Sequence, residues 1–164
     1  MAYVITTPLI GFQGIDVISD EQQHKLGTIV QAVDPTYGEG EFTYLKGIAS
    51  TVKGSLVTYD AYLGVTALAP ATGGVGQVAV AMGANVASKY GWYQIEGTAA
   101  VKAPNAAVVG AEVFMLAATP GSVDDAAVNG EQVLNAKFST TTGTPSTGLA
   151  LIQINRPFLQ GQVV

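Results

Sequence analysis

The chain has 164 residues, a net charge of −5 from 7 Lys+Arg and 12 Asp+Glu, no cysteine and a mean hydropathy of +0.34. That is one apolar, foldable domain, and it excludes a disordered chain, a basic phosphate-neutralising nucleic-acid binder, a disulfide scaffold, a Cys-ligated metal site and thiol catalysis. Charged residues make up 12% of the chain, against about 25% in an ordinary soluble domain. Much of the surface is therefore expected to be covered by something else.

Met1–Ile15 carries no charged side chain, has three chain-breakers (Pro8, Gly11, Gly14) and offers Tyr3, Ile5, Leu9, Ile10 and Phe12. It lacks the basic start and apolar core of a secretory signal, and no window of about 18 apolar residues exists for a helical membrane span. The pattern is too broken for a helix and too apolar for a solvated tail. Residues 1–18 are expected to form an extended N-terminal arm, and 19–164 a single β domain. The arm lies either on a neighbouring surface or along the same domain as an edge strand.

Ser19-Asp20-Glu21-Gln22 has capping-box spacing, which predicts one or two helical turns before Gly27. His24, the sole histidine, sits in a polar Gln-Gln-His-Lys segment and reads as exposed. Beyond it, 20 Gly and 7 Pro are spread so evenly that the longest stretches free of both, Ile15–Leu26 and Glu131–Thr142, have 12 residues. A helical bundle cannot be assembled from such pieces, whereas short strands with frequent turns can.

Strands are predicted at Thr28–Val33, Phe42–Ala49, Leu56–Tyr59, Val65–Leu68, Val78–Met82, Trp92–Val101, Val113–Ala118, Val133–Phe138 and Leu149–Ile154. Turns fall at Asp34–Gly40, Pro70–Gly76, Lys89–Gly91, Thr119–Asp125 and Thr140–Gly148. In Trp92–Val101, Tyr93 and Ile95 share one face while Gln94, Glu96 and Thr98 share the other. In Val133–Phe138, Leu134, Ala136 and Phe138 oppose Asn135 and Lys137. Alternation mixed with doubly apolar runs predicts an all-β fold, a compact β-sandwich or barrel-like domain. Val52, Gly54 and Val57 recur as Val108, Gly110 and Val113 at an offset of 56, with Lys46 mapping onto Lys102, as two related β-hairpins would give.

Chemistry-bearing patterns are sparse. A Ser-His-Asp triad would have to use His24, and no Gly-x-Ser-x-Gly elbow is present. Asp124-Asp125 reads as a polar turn, and Gly73-Gly74-Val75-Gly76 lacks the Lys and helix of a phosphate loop. Trp92 with Tyr90 and Tyr93 reads as packing, with sugar stacking the alternative. No enzyme, metal site or cofactor is expected. Two charge-free stretches stand out, Ala61–Ser88 of 28 residues and Phe138–Asn155 of 18, and charge-depleted surfaces are typical of the centres of permanent interfaces.

The blocks Leu26-Gly27-Thr28 to Ala32-Val33-Asp34, Gly38-Glu39-Gly40-Glu41-Phe42-Thr43-Tyr44, Lys53-Gly54-Ser55-Leu56-Val57, Tyr90-Gly91-Trp92-Tyr93-Gln94-Ile95-Glu96-Gly97, Pro120-Gly121-Ser122-Val123-Asp124 and Leu149–Pro157 follow one another in order. As an ordered set they resemble the small decoration (cement, head-stabilising) proteins of tailed-bacteriophage capsids. The resemblance spans about Leu26 to Pro157, and the chain is longer than the smallest members. It implies a β-tulip or β-sandwich on the outer capsid surface of the virion, a homotrimer or homodimer, and no catalysis. It also implies an arm touching the major capsid protein or a subunit through Tyr3, Ile5, Leu9, Ile10 and Phe12. Asp34, Gly38, Phe42, Tyr44, Gly54 and Trp92 are the family-like structural positions. No nucleic-acid or membrane partner is implied. The alternative function is a glycan-binding or tail-associated virion or cell-surface module using Trp92 and Tyr90.

Overall fold

The computed structural model of the chain describes residues 2–8 and 11–161. Its accessible surface is 7594 Å², close to the roughly 7,700 Å² that surface scaling gives a compact monomer of this mass. Eleven strands form: β1 (Val4–Ile5), β2 (Ile29–Asp34), β3 (Gly38–Lys46), β4 (Leu56–Asp60), β5 (Val65–Leu68), β6 (Val75–Ala81), β7 (Tyr90–Lys102), β8 (Glu112–Met115), β9 (Val123–Asp124), β10 (Gln132–Phe138) and β11 (Leu149–Gln160). The fold is all-β, with no helix among the described residues.

The strands run β1-β2-β3-β5-β4-β6-β7-β11-β10-β8-β9 in one sheet, and β3 also pairs with β7. That extra pairing closes β3, β5, β4, β6 and β7 into a five-stranded ring. Its one parallel contact is Lys46 beside Val65. Leu45, Val57, Ala79, Ala81, Tyr93 and Ile95 fill the ring.

The short echo in the sequence belongs to a much larger duplication. Tyr44 pairs with Trp92 as Ala100 pairs with Leu151, and Lys46 with Tyr90 as Lys102 with Leu149. Ala81 pairs with Tyr93 as Phe138 pairs with Ile152. The turn bonds repeat as well: Gly54 N–H to Ala81 O matches Gly110 N–H to Phe138 O, both 2.8 Å. The unit β3–β6 therefore recurs as β7–β10, with β11 standing where β7 stands in the first unit. Even the cores correspond, since Leu45, Val57, Ala81, Tyr93 and Ile95 map onto Val101, Val113, Phe138, Ile152 and Ile154.

Several expectations are corrected. Ser19 starts no helix: it bridges to Tyr90, and its Oγ donates to the carbonyl of Glu21. Gln94, on the face opposite Tyr93 and Ile95, is also fully buried, because β7 is covered on both sides. In β10, Val133 and Phe138 face the core while Leu134 and Ala136 are half-buried. A bulge with Asn135 at φ 59° inserts a residue and shifts the alternation. The expected turn Thr119–Asp125 contains β9 at Val123–Asp124, and the expected turn Lys89–Gly91 is already β7 from Tyr90 onward.

Gly97 marks the point where β7 passes from β3 to β11. Its φ is +98°, and a Cβ there would lie 2.4 Å from the carbonyl oxygen of Glu39. Gly97→Ala is expected to destabilise by about 2–3 kcal/mol, from backbone strain plus displacement of β3. Gly143→Ala, at φ +106° with open space around it, should cost about 1 kcal/mol. Equal losses in denaturant melts would show that the close approach to Glu39 is unimportant.

Inside the ring, burial pushes the Tyr93 phenol up to about 12, against the lowering effect of hydrogen bonds with Thr66 and Asn85. A raised acid pKa means the neutral form belongs to the folded state. Its stabilising contribution is complete below pH 10 and declines as pH rises from 10 through about 12. Thermal melts between pH 9 and 12 should show this loss in the wild type and a shallower one in Tyr93→Phe.

Candidate functional site

The described part of the arm lies along the chain's own sheet, as an edge strand. Val4 and Ile5 pair with Val33 and Ala32, and Thr6 N–H donates to Gln31 O at 2.9 Å. Asp34, at the β2–β3 hairpin, accepts from Thr36 N at 2.7 Å, from Tyr37 N at 3.0 Å, and from Ala2 N. Burial works against its charge, but these backbone donors outweigh it and hold the carboxyl below the usual aspartate range. Gly38 supplies the left-handed residue that ends this turn, with φ +79°.

Tyr3, Ile5 and Phe12, expected to reach a capsid protein or subunit, pack here against the chain's own core of Val30, Ala32, Phe42, Tyr44, Met82 and Trp92. The cause is the row of aromatic side chains on the outer face of β3 and β7, which the arm shields from water. Leu9 and Ile10 lie outside the described residues. The Tyr3 ring meets Phe42 edge-on with centroids 4.8 Å apart. Its hydroxyl donates to Thr98 O at 3.0 Å.

The densest constellation is an aromatic recess formed by His24, Tyr44 and Trp92 with Phe12 laid over it. Phe12 stacks on His24 with centroids 4.6 Å apart and planes 10° from parallel. Tyr44 and Trp92 lie 4.9 and 5.6 Å from the imidazole. One residue of the arm, Gln13, is gripped through both of its backbone polar groups. The Trp92 indole N–H donates to Gln13 O at 3.0 Å, and Gln13 N–H donates to His24 Nε2 at 3.1 Å. His24 is thus half-buried, contrary to the expectation from its polar neighbours. Burial lowers its pKa below the ordinary imidazole value. The signal that could have found it is the aromatic residue at 12, an arm's length away in sequence, which local pattern cannot connect.

Trp92 is 1% exposed, so it presents no open face for a sugar, and Tyr90 is half-buried behind it. Gly54, at φ +84°, lets the β3–β4 turn press onto β7 and β11, and a Cβ there would sit 2.9 Å from Leu149. Asp124 is buried and accepts from Ala126 N at 3.2 Å, while Asp125 accepts from Val108 N at 2.9 Å. The two tie loops together. Gly73 takes positive φ in the turn before β6, and Gly76 does so near the start of β6 itself.

A cleft of about 790 Å³ crosses β2, β3, β7, β11, β10 and β8, and is lined by Glu39, Glu41, Glu96, Glu112 and Lys137 among amide side chains. Arg156 pairs with Glu41 at its border. The cleft is acidic and amide-rich, suited to hydrogen-bond donors. Among the described residues no group of three or more His, Asp or Glu could hold a metal ion.

The charge-free stretch Ala61–Ser88 presents Tyr62 93% exposed and Leu63 58% exposed at the β4–β5 tip. Asp60 Oδ1 stiffens that tip by accepting from Tyr62 N at 2.8 Å and Leu63 N at 2.9 Å. Gly64 packs against Leu26 beneath it.

Trp92→Ala is expected to cost about 3–5 kcal/mol through lost burial and the cavity left behind, and to free the Gln13 carbonyl. A denaturant melt showing a loss under about 1 kcal/mol would mean that the recess is not a packed core.

No family model, no curated protein and no solved structure matches the chain.

Proposed function

We propose that the protein is a structural virion component that binds the outer surface of a tailed-bacteriophage capsid and stabilises the lattice of the major capsid protein, acting as a homotrimer or, alternatively, a homodimer. The observation that carries this reading is the β4–β5 tip. It places a rigid, fully presented Tyr62 beside Leu63 and Val65 inside a charge-free stretch. An exposed aromatic beside exposed aliphatic side chains, on a tip whose backbone Asp60 holds in place, favours protein–protein contacts over solvation. The ordered resemblance of the turn blocks supports the same reading. A capsid-bound role asks for contact and not for chemistry, and contacts repeated over a lattice add avidity without any single strong one.

Co-sedimentation of the purified protein with empty capsids tests the proposal, with host polysaccharide as the competing ligand. Binding to capsids and not to polysaccharide is expected. Tyr62→Ala should leave the melt within about 0.5 kcal/mol of wild type, as surface substitutions do, yet weaken capsid attachment by about tenfold, equivalent to about 1.4 kcal/mol. Unchanged attachment would remove the tip from the contact, and polysaccharide binding without capsid binding would favour the glycan-recognition function.

A further inference from the structure

One contact in the recess that holds Gln13 requires a ring nitrogen to be unprotonated. His24 Nε2 accepts the Gln13 N–H at 3.1 Å, so its proton resides on Nδ1. On the other side of the same residue, Trp92 Nε1–H donates to Gln13 O at 3.0 Å. A cationic imidazole carries hydrogens on both nitrogens and would turn a donor toward the Gln13 donor. We propose that His24, Tyr44 and Trp92 form a pH-gated clasp for the chain's own N-terminal arm, closed when His24 is neutral and opened by its protonation.

The surroundings assign the gating to His24. The arm brings Phe12 and the Gln13 peptide to the ring, β3 brings Tyr44 and β7 brings Trp92, none of them charged. Tyr44 is the one titratable group among these, with the Tyr90 phenol stacked behind it at 6.5 Å. The charged residues of the flanking segments, Asp16, Asp20, Glu21 and Lys25, are exposed, and Asp20 is paired with Lys89. No carboxylate therefore stands ready to stabilise the imidazolium. Attraction of the cation to the faces of Phe12 and Trp92 works against release but restores no acceptor to Gln13.

The sign follows from linkage. Burial lowers the folded-state pKa of His24 below 6.5, so the clasp contributes fully above pH 6.5 and weakens as pH falls from there through the folded value. Release affects the part of the arm around Phe12–Ile15. The β1 end is held separately by Asp34 and by the Gln31 backbone. Opening bares Phe12, Ile15 and Trp92 together, and makes an apolar docking segment available under mild acidification. The clasp is a property of the isolated chain and does not depend on the capsid reading.

Hydrogen exchange followed by NMR on the full chain tests it. Protection of the Gln13 amide and the Trp92 indole N–H is expected at pH 7.5, falling by at least about tenfold by pH 5 relative to β7–β11 amides such as Ala99 and Ala100. The midpoint should coincide with the titration of the His24 ring. His24→Phe keeps the stacking but has no acceptor, so its Gln13 amide should be poorly protected at both pH values. His24→Gln retains an acceptor that does not titrate and should stay protected at both. Wild-type protection that persists to pH 5, or the same loss in His24→Gln, would overturn the clasp. So would a parallel loss at Ala99 and Ala100, which would mean global unfolding. Should neither variant fold, the wild-type comparison of His24 titration with Gln13 protection decides by itself.

Discussion

A single strand, β7, carries the molecule. It pairs with β3 over Tyr90–Gly97, meets β6 at Tyr93 and Gln94, and pairs with β11 over Glu96–Lys102. Only a strand covered on both faces can join two cores, which is why Trp92, Tyr93, Gln94 and Ile95 are all buried in succession. The passage from one partner to the next requires the backbone to bend within hydrogen-bonding reach of β3. Gly97 permits it, because any side chain at that position would strike the Glu39 carbonyl.

The duplication explains both the economy of the fold and its asymmetry. The two units share register and turn chemistry, but their outer faces differ in bulk. Where the first unit has Tyr44 and Trp92, the second has Ala100 and Leu151. Small side chains let the Gly54 turn come within 3.1 Å of the Ala100 carbonyl, measured from where a Cβ would stand. Large aromatic ones hold the first unit's cover at a distance and leave a recess. A peptide with its own aromatic ring fits there, and the arm supplies Phe12 and the Gln13 peptide. Divergence in side-chain volume at equivalent positions has thus produced one closed seam and one clasp.

Fold class, strand positions and the weak charge were legible before any coordinates, because period-2 patterning and the dense spacing of Gly and Pro are local properties. Nine of the strands lie on predicted segments. The other two, β1 and β9, have two residues each, too short to show a period: an edge strand was one of the two readings of the arm, whereas β9 lies where a turn was expected. The echo of Val52-Gly54-Val57 in Val108-Gly110-Val113 exposed one corner of the duplication. The rest was hidden, since equivalent core positions such as Tyr93 and Ile152 share only burial and not identity.

The sequence by itself determined that this chain must bury apolar surface in short strands and that its first 18 residues could not stand alone in water. Only the tertiary structure decided where those residues lie and what His24 does. A histidine among Gln-Gln-His-Lys is polar by every local measure. It becomes a half-buried acceptor because the chain brings Phe12 from before it, Tyr44 from 20 residues after it and Trp92 from far beyond into one recess. Such convergence depends on strand register across the sheet, a long-range quantity that no window of sequence contains.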